Sequence, residues 1–544
     1  MSTMGMTDAG YPLHLVVISA DKDFSFESLR KKNKRIILIN NGIHPGEPDG
    51  IDASMLLARD IAFNLNNREI ARKKFAGASR YPVTISGFAM PDNIVLVIIP
   101  VYNIGGCLNR SINYRIDQNG PTEKGFRGNS QNLDLNRDFI KCDSKEARSF
   151  TEIFHMVDPD VFVDNHVSDG ADYQHVMTLI CTQHNKLGGA MGDFMNKNFE
   201  PGLYAGMKEK GYDLIPYVNA FGDSPDSGWP EFFESPRYGS GYAALWHTFS
   251  FVAETHMLKP YDQRVKATYE LMKCFIDFTD KNSSIIKQLR DKTKDITKTQ
   301  TEFPISWSLD RSQSSKRIYK GYTSGRKSSD VSGLPRLYYD RSKPYEKEIP
   351  FYNFYNPKTI IQKPKAYIIP QGWWKVIELL KLNKVEMQQL KKDSTMEVEV
   401  YYLDDYKTSA RQYEMHHINS EVKIRTSLQQ MKFRKGDYYI RMDQSANRFV
   451  IETLEPQAED SYFAWNFFDA ILGQKEGYSG YSFEDIAATY LKTNPDLKNK
   501  LEQRRSTDTV FAKSANAQLN FVFQNSPYFE PVNMRYPVYR VLSK

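Results

Sequence analysis

Residues 36–50 read IILINNGIHPGEPDG, an apolar run followed by a polar turn. The run Ile36–Ile39 is short and mostly β-branched, which is typical of a buried strand. Two prolines and a glycine surround Glu47 and prevent regular structure there, so His44 and Glu47 are predicted to leave the strand in a loop. Apolar residues then recur at helical spacing over 55–62. Ligands of α/β proteins bind at the carboxyl ends of strands, where this histidine and glutamate lie.

Further apolar runs alternate with helical patterns up to about residue 280. The clearest are Ile94–Ile99, Val161–Val163, Val176–Cys181 and Phe249–Ala253. Continuous apolar strands separated by helices indicate a sheet that is covered on both faces. We therefore predict an α/β domain over residues 1–280, with a mixed, mainly parallel central sheet flanked by helices.

The second half of the chain differs from the first in charge and in the pattern of its apolar residues. Residues 281–348 hold 16 Lys or Arg against 8 Asp or Glu. Such a surplus of positive charge is compatible with an anionic partner such as a nucleic acid. The basic residues are interrupted and mixed with acidic ones, however, and this pattern is more typical of a solvated connector. We therefore predict a polar connector over 281–350 and no nucleic-acid binding. Residues 351–544 are predicted to form a β-rich α+β accessory domain without its own chemistry. Its expected strands include Met396–Leu403, Glu421–Thr426 and Arg448–Leu454.

The chain has 544 residues, of which 40% are hydrophobic and 25% are charged. This length favours two or more domains, and the composition is that of a soluble globular protein. No apolar run reaches the roughly 20 residues that a transmembrane helix needs. The first residues lack a basic segment followed by an apolar core, so no signal peptide is visible. The compartment stays open, a periplasmic or secreted location included.

Four short motifs carry the chemistry. His44 and Glu47 offer an imidazole and a carboxylate, both good zinc ligands, and His166 in VFVDNHVSDG supplies a third ligand at another strand end. Arg137 and its neighbour Asn136 in NLDLNRDF suit a carboxylate, because a guanidinium binds it through two parallel hydrogen bonds. Glu254 ends the apolar run FSFVA and suits a general base beside a metal.

The order HPGE, DLNRDF, DNH and a strand ending in ET resembles the zinc metallocarboxypeptidase family typified by the pancreatic carboxypeptidases. The resemblance covers roughly residues 7–280. GDYYIRMDQ and LEPQAEDSYFAWNFFD, at 436–444 and 454–469, resemble the C-terminal portion of large, mostly bacterial members of this family. It implies one Zn²⁺ ion held by His44, Glu47 and His166. It further implies that Asp134 orients the first of these histidines from behind.

The same resemblance implies the roles of the residues that act on substrate. Asn136 and Arg137 correspond to the pair that holds the terminal carboxylate of the substrate, and Glu254 corresponds to the general base. The arginine that polarises the scissile carbonyl corresponds to Arg127, with Arg115 as the alternative. The tyrosine that closes over the substrate is matched by Tyr242 or, as the second choice, by Tyr238. His256 could bind substrate, but a structural role is expected.

The expected function is hydrolysis of the C-terminal peptide or amide bond of a substrate that carries a free carboxylate. Three alternatives use or keep the same site. They are a zinc amidase or deacylase acting on N-acyl amino acids, an enzyme that trims peptidoglycan peptides, and a non-catalytic peptide- or glycan-binding protein. PVYNIGG stands where the digestive enzymes carry a Pro-x-x-Asn-Pro-Asp-Gly turn, so the sequence leaves the side-chain specificity open.

Overall fold

An eight-stranded sheet lies at the centre of the N-terminal half in this computed structural model, which describes residues 1–74 and 88–542. The strands of this half are β1 (Ser2–Met6), β2 (Pro12–Ser19), β3 (Arg35–Asn41), β4 (Ile94–Ile99), β5 (Arg110–Ser111), β6 (Lys124–Gly125), β7 (Val161–Ser168), β8 (Met177–Cys181), β9 (Ile215–Pro216), β10 (Trp229–Pro230) and β11 (Phe249–His256). The sheet order is β1-β2-β4-β3-β7-β11-β8-β9. Its four central strands, β4, β3, β7 and β11, run parallel to one another.

Helices cover both faces of this sheet. They are α1 (Phe26–Lys31), α2 (Asp49–Lys74), α3 (Ile104–Leu108), α4 (Lys145–Val157), α5 (His184–Leu187), α6 (Gly189–Phe194), α7 (Glu200–Glu209), α8 (Gly239–Leu245), α9 (Tyr261–Lys281) and α10 (Ser283–Thr299), with short 3-10 helices at Leu135–Arg137 and Pro225–Ser227 and a π-helical turn at Met195–Phe199. The predicted fold class of the N-terminal half, a mixed and mainly parallel sheet between helices, is confirmed.

Strand β3 shows why the central strands are continuously apolar. Ile37 and Ile39 pack into the core that includes helices α2 and α9, whereas Ile36 and Leu38 pack into the core on the opposite face. Successive side chains of a strand point to opposite faces, so a strand between two cores needs apolar residues at every position. Each fully buried side chain of this size contributes about 1.5–3 kcal/mol.

Residues 281–350 contain regular elements where a polar connector was expected. Helix α10 is followed by β12 (Glu302–Leu309), β13 (Ser315–Ser328) and β14 (Pro335–Tyr352), and β15 (Tyr355–Gln362) pairs back with β12. The long β13–β14 hairpin lies against the N-terminal half, where its basic residues find acidic partners in the pairs Arg317–Glu200, Lys320–Asp213, Arg326–Asp223 and Arg341–Asp172. Part of the local surplus of positive charge is therefore paired with acidic residues of the N-terminal half.

The C-terminal region is built on a six-stranded antiparallel sheet of order β17-β20-β16-β21-β18-β19. Its strands are β16 (Ala366–Ile369), β17 (Gln388–Gln389), β18 (Ser394–Thr408), β19 (Asn419–Phe433), β20 (Tyr438–Arg441) and β21 (Tyr539–Val541). Its helices are α11 (Trp374–Leu382), α12 (Asn447–Leu454), α13 (Gly480–Thr493), α14 (Pro495–Thr507), α15 (Thr509–Ala512) and α16 (Ala515–Gln524), with a 3-10 turn at Asp469–Leu472. The predicted β-rich α+β character of this region is confirmed.

One expected strand of this region is wrong. Residues Arg448–Leu454 lie in helix α12, although Val450 and Ile451 are β-branched. Phe449, Val450, Ile451 and Leu454 are all buried in one core, and this packing overrides the intrinsic preference for a strand.

The two halves of the chain share that core. Phe449 packs on Trp246 with ring centroids 5.0 Å apart, and Trp465 and Tyr536 belong to the same buried cluster as Phe150 of helix α4. The division into domains at about residues 280 and 350 stays a prediction. Among the described residues, no helix combines the length and the apolar content needed to cross a lipid bilayer.

Candidate active site

The three predicted metal ligands meet at the carboxyl edge of the central strands. His44 and Glu47 lie in the turn between β3 and α2, and His166 lies near the end of β7, the strand beside β3. All three side chains are buried, and one ligand atom of each lies within 4.8 Å of the others. Strand β7 is longer than the sequence predicted, so the histidine stands inside the strand rather than after it.

Two carboxylates orient the histidine rings. Nε2 of His44 lies 2.9 Å from Oδ1 of Asp134, and Nε2 of His166 lies 3.2 Å from Oδ2 of Asp164. Both Nδ1 atoms consequently face Glu47, at 3.2 Å for His44 and 3.0 Å for His166. For His44, the hydrogen bond between Nε2 and Asp134 fixes the tautomer that leaves Nδ1 free as a ligand. For His166, Asp164 faces Nε2 as a charge without a hydrogen bond, and Nδ1 contacts Glu47. Asp164 was missed in the sequence, although its position two residues before a histidine in a strand places both on one face.

The charges in the cluster are strongly coupled. Burial alone would raise the pKa of Glu47, but Arg115 and His44 hold it well below its ordinary value. Burial alone would lower the pKa of His166, but the charge of Asp164 and the hydrogen bond to Glu47 raise it well above its ordinary value. This arrangement favours a cation between the two histidines and the glutamate, a place that a metal ion takes by displacing protons.

The donor set fits zinc. Two imidazole nitrogens and one carboxylate oxygen form a three-residue site of the kind that leaves one position open for water. Within the part of the chain that the structure describes, the buried Nδ1 of His44 has no hydrogen bond, as expected for a nitrogen that is available to a metal. The grouping of His44, Glu47 and His166 is therefore consistent with a metal site.

Glu254 is placed by strand pairing. Strand β11 runs parallel to β7, with Glu254 directly opposite His166 in the register. Its side chain lines the same cleft, and its Oε2 is buried without a hydrogen bond among the described residues. Burial raises the pKa of Glu254 to about 8, the negative charge of Glu47 adds to this, and His166 opposes it. A carboxyl group whose pKa lies near neutrality can both accept and return a proton.

Both candidate arginines reach the cleft, in different ways. Arg115 is held on all sides, since it donates to Oε1 of Glu47 at 2.8 Å, to Gln118 at 2.5 Å and to the carbonyl of Val167 at 2.9 Å. Arg127 is 48% exposed and bonds to Oδ2 of Asp134 at 3.0 Å, while its Nη1 stands 3.6 Å from Glu47. Arg127 thus keeps donors for a ligand, whereas Arg115 acts mainly on Glu47.

The Asn136–Arg137 pair sits in the 3-10 turn Leu135–Arg137. Asp134 caps this turn by accepting from the backbone N–H of Asn136 at 2.9 Å. The guanidinium of Arg137 lies over the ring of Tyr238, 4.6 Å from its centroid, and Nε donates to the hydroxyl of Tyr413 at 2.9 Å. Both members of the pair line the cleft with Glu254.

The cleft has a volume of about 300 Å³ and is mostly polar. Its remaining wall consists of Val167, Ser168, Asp169, Ile180, Tyr217, Phe232, Glu234 and Tyr238. Glu234 was not anticipated from the sequence. Its carboxylate is buried, accepts from the hydroxyl of Ser240, and has a pKa raised by burial.

The structure does not bring Tyr242 to the cleft, which corrects its expected role in binding substrate. Tyr242 is fully buried in the core, and its hydroxyl donates to Oδ1 of Asn383 at 2.7 Å. Tyr238, the second choice, lines the cleft because it precedes helix α8 in an extended conformation, whereas Tyr242 lies inside the helix and faces the core. His256 is buried behind the cleft, with Nε2 2.9 Å from the carbonyl of Ala171, in accord with a structural role.

The chain is similar in fold to solved metallocarboxypeptidases over about half of its length, at low identity. It matches a metallo-carboxypeptidase from Burkholderia cenocepacia at 14% identity over 52% of this chain and 64% of that one, with a TM-score of 0.34. A metallo-carboxypeptidase from Pseudomonas aeruginosa, solved with (2-guanidinoethylmercapto)succinic acid, matches at 12% identity over 53% and 64%, with a TM-score of 0.35. Carboxypeptidase A from Helicoverpa armigera matches at 14% identity over 53% and 69%, with a TM-score of 0.31.

The chain thus spans less than two thirds of the length of the two bacterial structures. No protein-family model matches it, and no curated protein matches it in sequence.

Proposed function

We propose that this protein is a zinc-dependent carboxypeptidase that hydrolyses the C-terminal peptide or amide bond of a small substrate. One observation carries the proposal: two histidine Nδ1 atoms and the carboxylate of Glu47 converge beside the unpaired carboxylate of Glu254. Arg137 and Asn136 line the same cleft and supply a recognition site for a free carboxylate.

Substrate binding begins with the terminal carboxylate. Two of the five N–H groups of Arg137 are occupied, by Tyr413 and by the carbonyl of Asn136 at 2.8 Å. The other three make no hydrogen bond to the described residues, and Nη2 lies 3.9 Å from Oδ2 of Asp134. The side chain of Asn136 adds a neutral hydrogen bond. Because the carboxylate of the substrate is held at this end of the cleft, the bond presented to Glu254 is the last one of the chain, which makes the enzyme an exopeptidase.

The residues of the chain then move the proton. Zinc, when bound by His44, Glu47 and His166, supplies Lewis-acid activation of water and of the carbonyl. Glu254 accepts a proton from the attacking water, whose oxygen forms the new bond to the carbonyl carbon. Arg127 donates hydrogen bonds to the oxygen on which negative charge develops. Glu254 returns the proton to the nitrogen as the C–N bond breaks, so that the products are an amine and a second carboxylate.

The size of the cleft favours a second candidate function, which uses the same hydrolytic reaction on a smaller substrate. A volume of about 300 Å³ is at the lower end of the range for small-molecule sites. It suits a dipeptide or an N-acyl amino acid better than a long peptide, so an amidase acting on N-acyl amino acids is the main alternative. Peptidoglycan-derived peptides remain a further substrate class, and a non-catalytic binding protein is disfavoured by the complete set of ligands and base.

The test is a set of matched substrates offered to purified protein with and without a chelator. Peptides with a free carboxylate, the same peptides as C-terminal amides, and N-acyl amino acids are incubated, and the products are identified by mass spectrometry. We expect chelator-sensitive release of the last residue from free-carboxylate substrates only. Zinc bound at one ion per chain without turnover of any substrate would favour the binding-protein alternative and contradict the proposal.

A further inference from the structure

The tip of the β18–β19 hairpin, residues 413–416, belongs to the C-terminal region and contacts the candidate active site in the N-terminal half. Tyr413 and His416 close a two-residue turn through N–H to O bonds of 2.7 and 3.0 Å. Glu414 and Met415 at its centre have φ of 50° and 70°, as in the turns that match the twist of a hairpin. The tip is therefore a defined structure rather than a trailing loop.

Three side chains join this tip to the segment that carries the carboxylate-binding pair. The hydroxyl of Tyr413 accepts from Nε of Arg137 at 2.9 Å. Oε2 of Glu414 accepts from the backbone N–H of Asp134 at 2.8 Å. Nε2 of His416 lies 2.8 Å from Oδ2 of Asp143.

The hairpin is also braced from behind. The ring of Tyr413 stacks on buried Trp465, with centroids 6.2 Å apart and an angle of 24° between the planes. Asn466 bonds to both the carbonyl and the N–H of His417, at 2.8 and 3.0 Å. These contacts fix the backbone at the base of the hairpin tip and the ring of Tyr413. The Tyr413 hydroxyl is therefore held at a defined point beside Arg137.

We propose that Tyr413 and Glu414 are positioning residues of the active site, which hold Arg137 and Asp134 in the geometry that binds the carboxylate of the substrate. Tyr413 takes the Nε donor of the guanidinium and the carbonyl of Asn136 takes one donor of Nη1, so the orientation of the guanidinium plane is fixed beside the cleft. Glu414 fixes the backbone that starts the turn carrying Asn136 and Arg137. This inference rests on the proposed function and makes the C-terminal region a part of the catalytic unit.

The test compares Tyr413→Phe and Glu414→Ala with two controls in the full-length protein. Met415→Ala alters a side chain of the same tip that is 55% exposed, and Glu414→Gln keeps an oxygen acceptor for the N–H of Asp134. Tyr413 is 36% exposed, so solvent partly replaces its hydrogen bond. We expect KM for a free-carboxylate dipeptide to rise about threefold to tenfold in Tyr413→Phe, as for loss of one hydrogen bond, with kcat within about twofold.

The corresponding dipeptide amide and the Met415→Ala variant should show no such change, and Glu414→Gln should restore what Glu414→Ala loses. Binding of an N-acyl amino acid by calorimetry supplies a readout that needs no turnover. An unchanged KM and affinity in Tyr413→Phe, or equal losses on carboxylate and amide, overturns the inference while the proposed function stands. A wild-type protein that does not distinguish the carboxylate from the amide contradicts both.

Discussion

Glu254 and His166 stand opposite one another in the register of the parallel strands β11 and β7. This pairing places a carboxylate beside a candidate metal ligand without making it part of the ligand group. The backbone hydrogen bonds of the sheet fix both positions, so the distance between the base and His166 depends on strand pairing rather than on loop conformation.

Replacement of Glu254 tests the role of the base. Glu254→Gln keeps the shape of the side chain but removes the proton acceptor, so turnover should fall by about 10²–10⁴-fold. Zinc content and thermal stability should stay at the wild-type level, because the residue is outside the ligand group. Full activity of Glu254→Gln on every substrate class would rule out the mechanism even if zinc is present.

The carboxylates behind the histidines should tune metal affinity. His166→Ala should abolish stoichiometric zinc binding, whereas Asp164→Asn should weaken it by about 10–100-fold, because the imidazole of His166 loses the negative charge that faces its Nε2 at 3.2 Å. Competition with a chromogenic chelator measures both effects. His417→Ala, which removes an exposed histidine, is the matched control and should bind zinc as the wild type does. Unchanged affinity in Asp164→Asn would remove this residue from the site.

His256 should make the protein less stable in acid. Burial lowers the pKa of His256 to about 4, below the ordinary 6.5, and its Nδ1 accepts from the N–H of Leu258 at 3.2 Å. The unfolded chain therefore takes up the proton first, so the stabilisation is complete above pH 6.5 and is lost as the pH falls toward 4. Between pH 6.5 and 5 this loss amounts to about 2 kcal/mol.

Urea unfolding of wild type and His256→Gln at the two pH values, in the presence of a chelator, isolates this contribution. The variant should lose less unfolding free energy on acidification than the wild type. An identical loss in both proteins would show that this histidine does not titrate on unfolding.

Limited proteolysis should cut the turn at 329–334 between β13 and β14 without separating the halves. Val331 in this turn is almost fully exposed, whereas Tyr319 and Phe351 of the same hairpin are buried. Because the two halves also share one core, the nicked fragments should elute together from a size-exclusion column under native conditions. Fragments that elute separately would support independent domains joined by a flexible connector.

Short-range patterns in the sequence predicted much of the candidate site. The strand before His44, the loop geometry around Glu47 and the apolar run before Glu254 depend on neighbours within a few residues. The mainly parallel sheet follows from the same runs, because strands that are apolar at every position require cover on both faces. The grouping of His44, Glu47 and His166 then follows from the meeting of strand ends at one edge of the sheet.

The tertiary structure decided which side chains reach the cleft and which residues from distant parts of the chain contact them. Tyr238 and Tyr242 are chemically equivalent in the sequence, and only the start of helix α8 between them sends one to the cleft and the other to the core. Tyr413 reaches Arg137 across 276 positions, a contact that no local pattern encodes. The sequence by itself indicated which side chains offer metal ligands and a proton acceptor, through residue type, local geometry and the order of motifs that resembles the metallocarboxypeptidases. Which arginine keeps free donors was decided by folding within the N-terminal half, where Arg115 bonds to Glu47, Gln118 and Val167. What holds Arg137 in place was decided by the packing of the C-terminal region, which brings Tyr413 to its guanidinium.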